Sequence, residues 1–240
     1  MNTLGYKECQ DAVSVWTQNK GGLLFVKKII NPTYAFNFQN IKGLGENPNC
    51  HVYAGVDESG KFILIIVPLD KNGKEKEEKQ GYQISALTAL DESITLVERT
   101  TTETKTKLDT ELNITKHWKE VDLPVYGEPN LAESVSAKDI EKWKDECYDW
   151  FEDMIETGKT DKIFRAFKVP VADLEVQEGK EVLGLFGFKN STLYQMQIPI
   201  LIFVEKTPEN DWLLESRVNT RDWSHPNPPY GNKDDFSIFD

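Results

Sequence analysis

Residues with dedicated chemistry are scarce in this chain: three histidines (His51, His117 and His225) and three cysteines (Cys9, Cys50 and Cys147) among 240 residues. The cysteines show no C-x-x-C spacing and leave an odd one over, which argues against a disulfide framework and fits a reducing compartment. No H-x-x-x-H or H-E-x-x-H occurs, so a metal centre would need distant segments to converge, for example His51 and His225 with Asp222. A P-loop is missing. Asp222-Trp223-Ser224-His225 carries the letters of a catalytic triad, but no G-x-S-x-G elbow surrounds Ser224. Gly43-x-Gly45 lacks a third glycine and a strand-to-helix setting, so it is no dinucleotide fingerprint. These absences lead to an expectation of no catalytic residue, no cofactor and no metal.

Long apolar runs are missing too. The longest, residues 198–204, is far too short to cross a bilayer as a helix. The first eight residues show no basic stretch leading into an apolar one. The expected setting is the cytoplasm, without a membrane. Positive charge is also in deficit: 28 Lys and Arg face 40 Asp and Glu, for a formal net charge of −12. That field repels phosphates, so direct nucleic-acid binding is not expected. The densest basic stretch, residues 71–79, alternates with Glu75, Glu77 and Glu78 and reads as a solvated loop.

What remains is an ordinary globular composition, 39% apolar and 11% aromatic, with an internal pattern. Glu8, Cys9, Asp11 and Pro32 return 138 residues later as Glu146, Cys147, Asp149 and Pro170. Apolar hairpins follow in both halves, over 52–69 and 184–204, the first joined by Asp57-Glu58-Ser59-Gly60. The expected fold class is therefore α+β: two related helix–strand–hairpin units, an internal pseudo-repeat, with antiparallel sheets and helices packed on one face. The units are set at 1–128, carrying a long insert over 71–120, and at 129–222, followed by a Pro-rich aromatic tail over 223–240.

Within that frame, Cys9, Ala12, Val13 and Trp16 predict a helix over residues 4–19, stopped by Gly21-Gly22. The branched apolar run over 23–30 reads as a strand, and Tyr34, Phe36 and Phe38 as a second extended piece. Asn72-Gly73 marks a turn before a strand over 82–90. Residues 94–119 fit neither period; their threonines favour a hairpin over a surface helix. Residues 121–129 read as the connection between halves. Ser136 and Asp139 resemble a capping box opening a second helix, whose stripe runs through Ile140, Trp143, Cys147, Trp150, Phe151, Met154 and Ile155 to Gly158. Residues 163–171 read as a strand, and 212–219 as a last one. Pro199 marks a bulge or an edge in the second hairpin.

Two segments are candidate sites. The loop over 43–51 gathers Glu46, Asn47, Asn49, Cys50 and His51 as ligand-binding candidates, because loops carry binding residues disproportionately. Cys50 and His51 are no dyad by adjacency, since neighbouring strand residues point to opposite faces. In the tail, Phe236, Ile238 and Phe239 are candidates for partner docking, or for folding back to cap their own sheet. The functional expectation is an acidic binding protein (inhibitor, adaptor or immunity-type) engaging a protein partner of basic character. The alternative is an enzyme or small-ligand binder with a site between the halves that uses the 43–51 loop.

Overall fold

The computed structural model describes residues 2–39, 41, 43–45, 47–90, 104–108, 114–118, 133–174, 181–191, 195–206, 212–213, 225–228 and 236–239. In chain order the elements begin with β1 (Asn2–Leu4), α1 (Tyr6–Asn19), α2 (Leu23–Ile29), β2 (Ala35–Gln39), β3 (Asn49–Val56), β4 (Phe62–Pro68) and β5 (Tyr82–Thr88). There follow β6 (Thr104–Leu108), β7 (Ile114–Trp118), α3 (Glu133–Glu156), β8 (Ala166–Pro170) and α4 (Val171–Leu174). The last are β9 (Glu181–Ser191), β10 (Met196–Lys206), β11 (Trp212–Leu213) and β12 (His225–Asn227). Ten strands form one antiparallel sheet in the order β11-β10-β9-β2-β5-β4-β3-β8-β12, with β1 also on β5. Near the two ends of that order β12 approaches β10, so the sheet is nearly closed, like a barrel. The protein is thus a mixed α+β fold.

Side-chain alternation explains how one sheet builds three cores. Cys50, Val52, Ala54 and Val56 of β3 and Phe62, Leu64 and Ile66 of β4 point into the largest, with Phe186 and Phe188 of β9 and Leu201 and Phe203 of β10. The intervening residues serve smaller cores: Tyr53, Ile63, Ile65 and Val67 on one flank, Leu183, Leu185, Ile198, Ile200 and Ile202 on another. Apolar residues on both faces explain why β4 and the middle of β9 read as unbroken apolar runs. Phe186 is a hub of the large core, with ring contacts to Phe36, Phe62, Phe164, Phe167 and, at 4.5 Å, Trp143.

The first helix covers β3 closely because both surfaces are small at the contact. A Cβ on Gly55 would lie 3.1 Å from the Cβ of Ala12. Trp16 is fully buried and donates its indole N–H to the Phe164 carbonyl at 2.9 Å, so burial leaves its one polar atom paired. The run over 23–30, expected as a strand, is instead the helix α2. Its buried Val26 and half-buried Leu23, Phe25 and Ile29 share one face with the buried C-cap Ile30 at helical spacing, while Leu24 is 85% exposed. Lys27 and Lys28 occupy its last turn, where cations complement the carbonyl end of a helix. Tyr148 of α3 holds this end, donating its hydroxyl to the Ile30 carbonyl at 2.8 Å beneath Lys27.

The apolar stripe of α3 is buried or half-buried as its spacing predicts. Its start differs: the helix is already formed at Glu133, so Ser136 and Asp139 are interior positions and no capping box opens it there. Its end is as expected. Gly158, at φ +69, donates to the Ile155 carbonyl and Lys159 to that of Met154, the paired bonds of a Schellman stop.

Both hairpins form, β3–β4 and β9–β10. Pro199 pairs with Phe188 on one side; on the other, β11 hydrogen-bonds only to Glu205 and Lys206, so among the described residues Pro199 occupies an edge position. Residues 104–108 and 114–118 form a two-stranded hairpin, the form their threonines favour. The 1–128 and 129–222 units share the sheet: β2 pairs with β9, and β3 pairs with β8. The proposed connection over 121–129 and most of the strand over 212–219 lie outside the described residues.

Candidate functional site

The most concentrated polar chemistry in the described protein gathers around Glu75. Local turn chemistry places it there. The carboxylate of Asp70 accepts from the backbone of Asn72 at 2.8 Å and of Lys74 at 2.9 Å, and Gly73 takes φ +82 as the expected turn requires. Those bonds, the Lys74 N–H first, hold the Asp70 carboxyl below its ordinary pKa. The chain reverses and Glu75 bridges back to Leu69. The stretch over 71–79 is therefore not uniformly solvated, because the Glu75 side chain is only 4% exposed.

Every acceptor position of that carboxylate is filled. One oxygen accepts from His51 Nδ1 and from the Tyr53 hydroxyl, both at 2.6 Å. The other accepts from the backbone N–H of Ser237 at 3.0 Å and of Ile238 at 2.7 Å. A carboxylate only accepts, so Nδ1 of His51 carries the shared proton. His51 and Tyr53 reach the same group because residues i and i+2 of β3 face one side. Phe236 stacks on the His51 ring at 3.9 Å, while Phe239 packs edge-on against Tyr53 at 5.0 Å and Tyr82 at 5.3 Å. Tyr6 completes the cup, contacting Phe239 and donating its hydroxyl to the Ile238 carbonyl at 2.6 Å.

The 43–51 candidates do not converge on one cavity. Asn47 holds the turn, donating from Nδ2 to the Asp70 carbonyl at 3.0 Å and accepting from the Asn49 N–H. Asn49 and Cys50 are not loop residues but open β3, paired with Pro170 and Val169. Cys50 points into the large core while His51 points to Glu75, so their adjacency brings them to opposite faces. Glu46 lies outside the described residues. The tail candidates Phe236 and Phe239 are buried in the chain's own cup, and Ile238 is half-buried beside them. His225 sits in β12 opposite Lys168, Asp222 lies outside the described residues, and no metal-binding cluster of three or more ligands occurs among the described residues.

Sequence reasoning did not find Glu75, Tyr6, Tyr53 or Tyr82. The available signal was the reversing turn at Asp70, Asn72 and Gly73, which folds the next side chain back onto the sheet.

Two further features stand apart. Asp139 of α3 is buried against β9 with its Oδ2 accepting no hydrogen bond from the described residues, and burial pushes its pKa to about 6 against the pull of Lys142 and Lys189. A cleft of about 220 Å³ opens nearby, between Tyr34, Leu90, Ile140, Lys144, Leu185 and Phe186. Cys9 and Cys147 are buried thiols whose pKa values burial raises, that of Cys9 to about 12, which makes neither a ready thiolate. No protein-family model, no curated protein and no solved structure matches this chain. No described helix is long and apolar enough to cross a membrane.

Proposed function

We propose that this chain is a non-enzymatic acidic interaction protein, of inhibitor, adaptor or immunity type, that engages a basic protein partner. The observation that carries the reading is the exposed face of α3. Asp145, Glu146, Asp149, Glu152, Asp153 and Glu156 all face solvent, and no Lys or Arg occurs from residue 145 to the helix end. Acidic side chains at a helix C-terminus oppose its dipole, and Asp145/Asp149, Asp149/Asp153 and Glu152/Glu156 repel as i,i+4 pairs. A cationic surface docked there relieves both costs and is drawn in by long-range attraction.

The test is native mass spectrometry of the protein gently purified from its own host, beside an Asp149→Lys, Glu152→Lys, Glu156→Lys variant. A basic protein that accompanies the wild type, is released by salt and is lost from the variant supports the reading. A partner indifferent to salt and to charge reversal overturns it.

The rival small-ligand reading draws on the 220 Å³ cleft, whose walls come from both halves of the chain. It does not draw on the 43–51 loop. If that loop nevertheless carried an activity, Cys50→Ala or His51→Ala would abolish it beyond the stability each costs by disturbing the large core or the Glu75 network.

We also infer that the two halves are related units. Their hairpins occupy corresponding places, and each inner strand pairs with the strand that follows the other half's helices. The departure is α2, which stands where the repeat expects a strand.

A further inference from the structure

We propose that the cup formed by Tyr6, His51, Tyr53, Glu75 and Tyr82 is a peptide-binding site for a segment with two aromatic side chains three residues apart, and that a second copy of this chain supplies such a segment in trans. In the structure the chain's own Phe236–Phe239 fills it. The cup side comes entirely from residues 6–82 and the occupant from 236–239, so the two surfaces meet across more than 150 positions of sequence.

The contact has the two parts of peptide recognition. Its main-chain part is indifferent to sequence: the carboxylate of Glu75 takes two successive backbone N–H groups, and the Tyr6 hydroxyl takes the carbonyl of Ile238. Its side-chain part is selective: the His51 face receives Phe236, and the Tyr6, Tyr53 and Tyr82 rings receive Phe239. Ser237, between the anchors, is exposed and reads nothing.

Two observations point to a second copy as the occupant. The sequence seen to satisfy both slots is this chain's own, and every copy carries it. The cup's walls belong to α1, β3, β5 and the residue after the 70–74 turn; β3 and β5 each pair with β4, and the Asp70 carboxylate closes the turn, independently of the occupant. Segments held this way exchange between copies at little cost in contacts, because both partners re-form every bond. Tethering favours the intramolecular arrangement in dilute solution. The intermolecular one gains as concentration rises or when the intramolecular one is disabled.

The test uses two full-length variants, each unable to close its own cup. Phe236→Ala/Phe239→Ala keeps the cup and loses the anchors; Glu75→Ala keeps the anchors and removes the acceptor of the tail's two N–H groups. Each alone should be monomeric, and an equimolar mixture should yield a heterodimer in native mass spectrometry and light scattering. Folded variants that stay monomeric when mixed overturn the proposal. Should either variant fail to fold, the near-native chain decides. With p-benzoyl-phenylalanine in place of Phe239, a mixture of isotopically light and heavy full-length chains is irradiated at the highest soluble concentration. Light-to-heavy cross-links at Tyr53 or Tyr82 are expected. Cross-links confined to chains of one isotope make the cup a purely intramolecular fastener and overturn the proposal.

Discussion

Glu75 and Asp139 are both carboxylates almost wholly removed from solvent, and the protein treats them in opposite ways. Around Glu75, four donors from β3 and the tail occupy both oxygens. Beneath α3, Asp139 keeps one oxygen without a donor among the described residues, and burial lifts its pKa to about 6. Burial is common to both, so burial alone does not decide whether a buried acid is an asset. The count of donors does, because each hydrogen bond replaces water that was lost and each orphan lone pair does not. One region is a fastener; the other is a weak point in the packing of α3 on the sheet.

The sharpest way to break this comparison is to remove the satisfied acid. Glu75→Ala leaves His51, Tyr53 and two backbone N–H groups facing an empty place, and should cost about 4 kcal/mol in urea unfolding. A cost below about 1 kcal/mol would mean that water replaces the carboxylate freely. Phe239→Ala removes the tail's deepest anchor but leaves the bonds to Glu75 in place. Its expected cost is about 3 kcal/mol, mostly lost burial and the cavity left among three tyrosine rings. The two losses should add to less than their sum in the double variant, since both release the same segment.

The fastener was largely hidden in the sequence although its parts were visible. His51 stood out as one of three histidines, and Phe236 and Phe239 as aromatics in a polar tail. The group that joins them sits in an alternating Lys and Glu stretch, where charge pattern signals solvent. Nothing local distinguishes Glu75 from Glu77 or Glu78; only the turn set by Asp70 aims it inward. The hairpins and the stripe of α3 were legible because long runs and repeated spacing leave one period standing. In α2, seven residues with four apolar ones in succession leave no period to read, and the strand reading lost to tertiary packing. The start of α3 was misplaced because Ser136 and Asp139 spell a cap, while a cap's letters do not end a helix that has already begun.

Asp139→Asn sharpens the comparison from the unsatisfied side. The ordinary carboxyl value of 3.8 rises to about 6 in the folded protein, so the fold holds this proton more tightly than the unfolded chain does. The stability it confers is full below about pH 4 and is lost as pH rises through about 6. The neutral asparagine does not pay for ionisation. The variant should therefore match wild type at pH 4 and exceed it by about 1 kcal/mol at pH 7.5, since local relaxation and water entry on ionisation relieve part of the cost. Parallel urea titrations at the two pH values read this directly. A variant less stable at both would show that Asp139 makes a contact its asparagine cannot replace.

The smallest expected effect tests the exposed rather than the buried acids. Glu156 is the last residue of α3, exposed, with no cation in its turn and Glu152 one turn before it. Replacing it with lysine turns a like-charge pair into an attractive one and puts positive charge beside unpaired carbonyls. Glu156→Lys should raise stability by about 0.5 kcal/mol at low salt, with the gain shrinking as salt screens the helix end. A stabilising reversal means that the native sequence is not tuned for the isolated fold at this position. The same substitution should weaken association with a basic partner. Stability and binding moving in opposite directions would separate a surface kept acidic for docking from one that is acidic by composition alone.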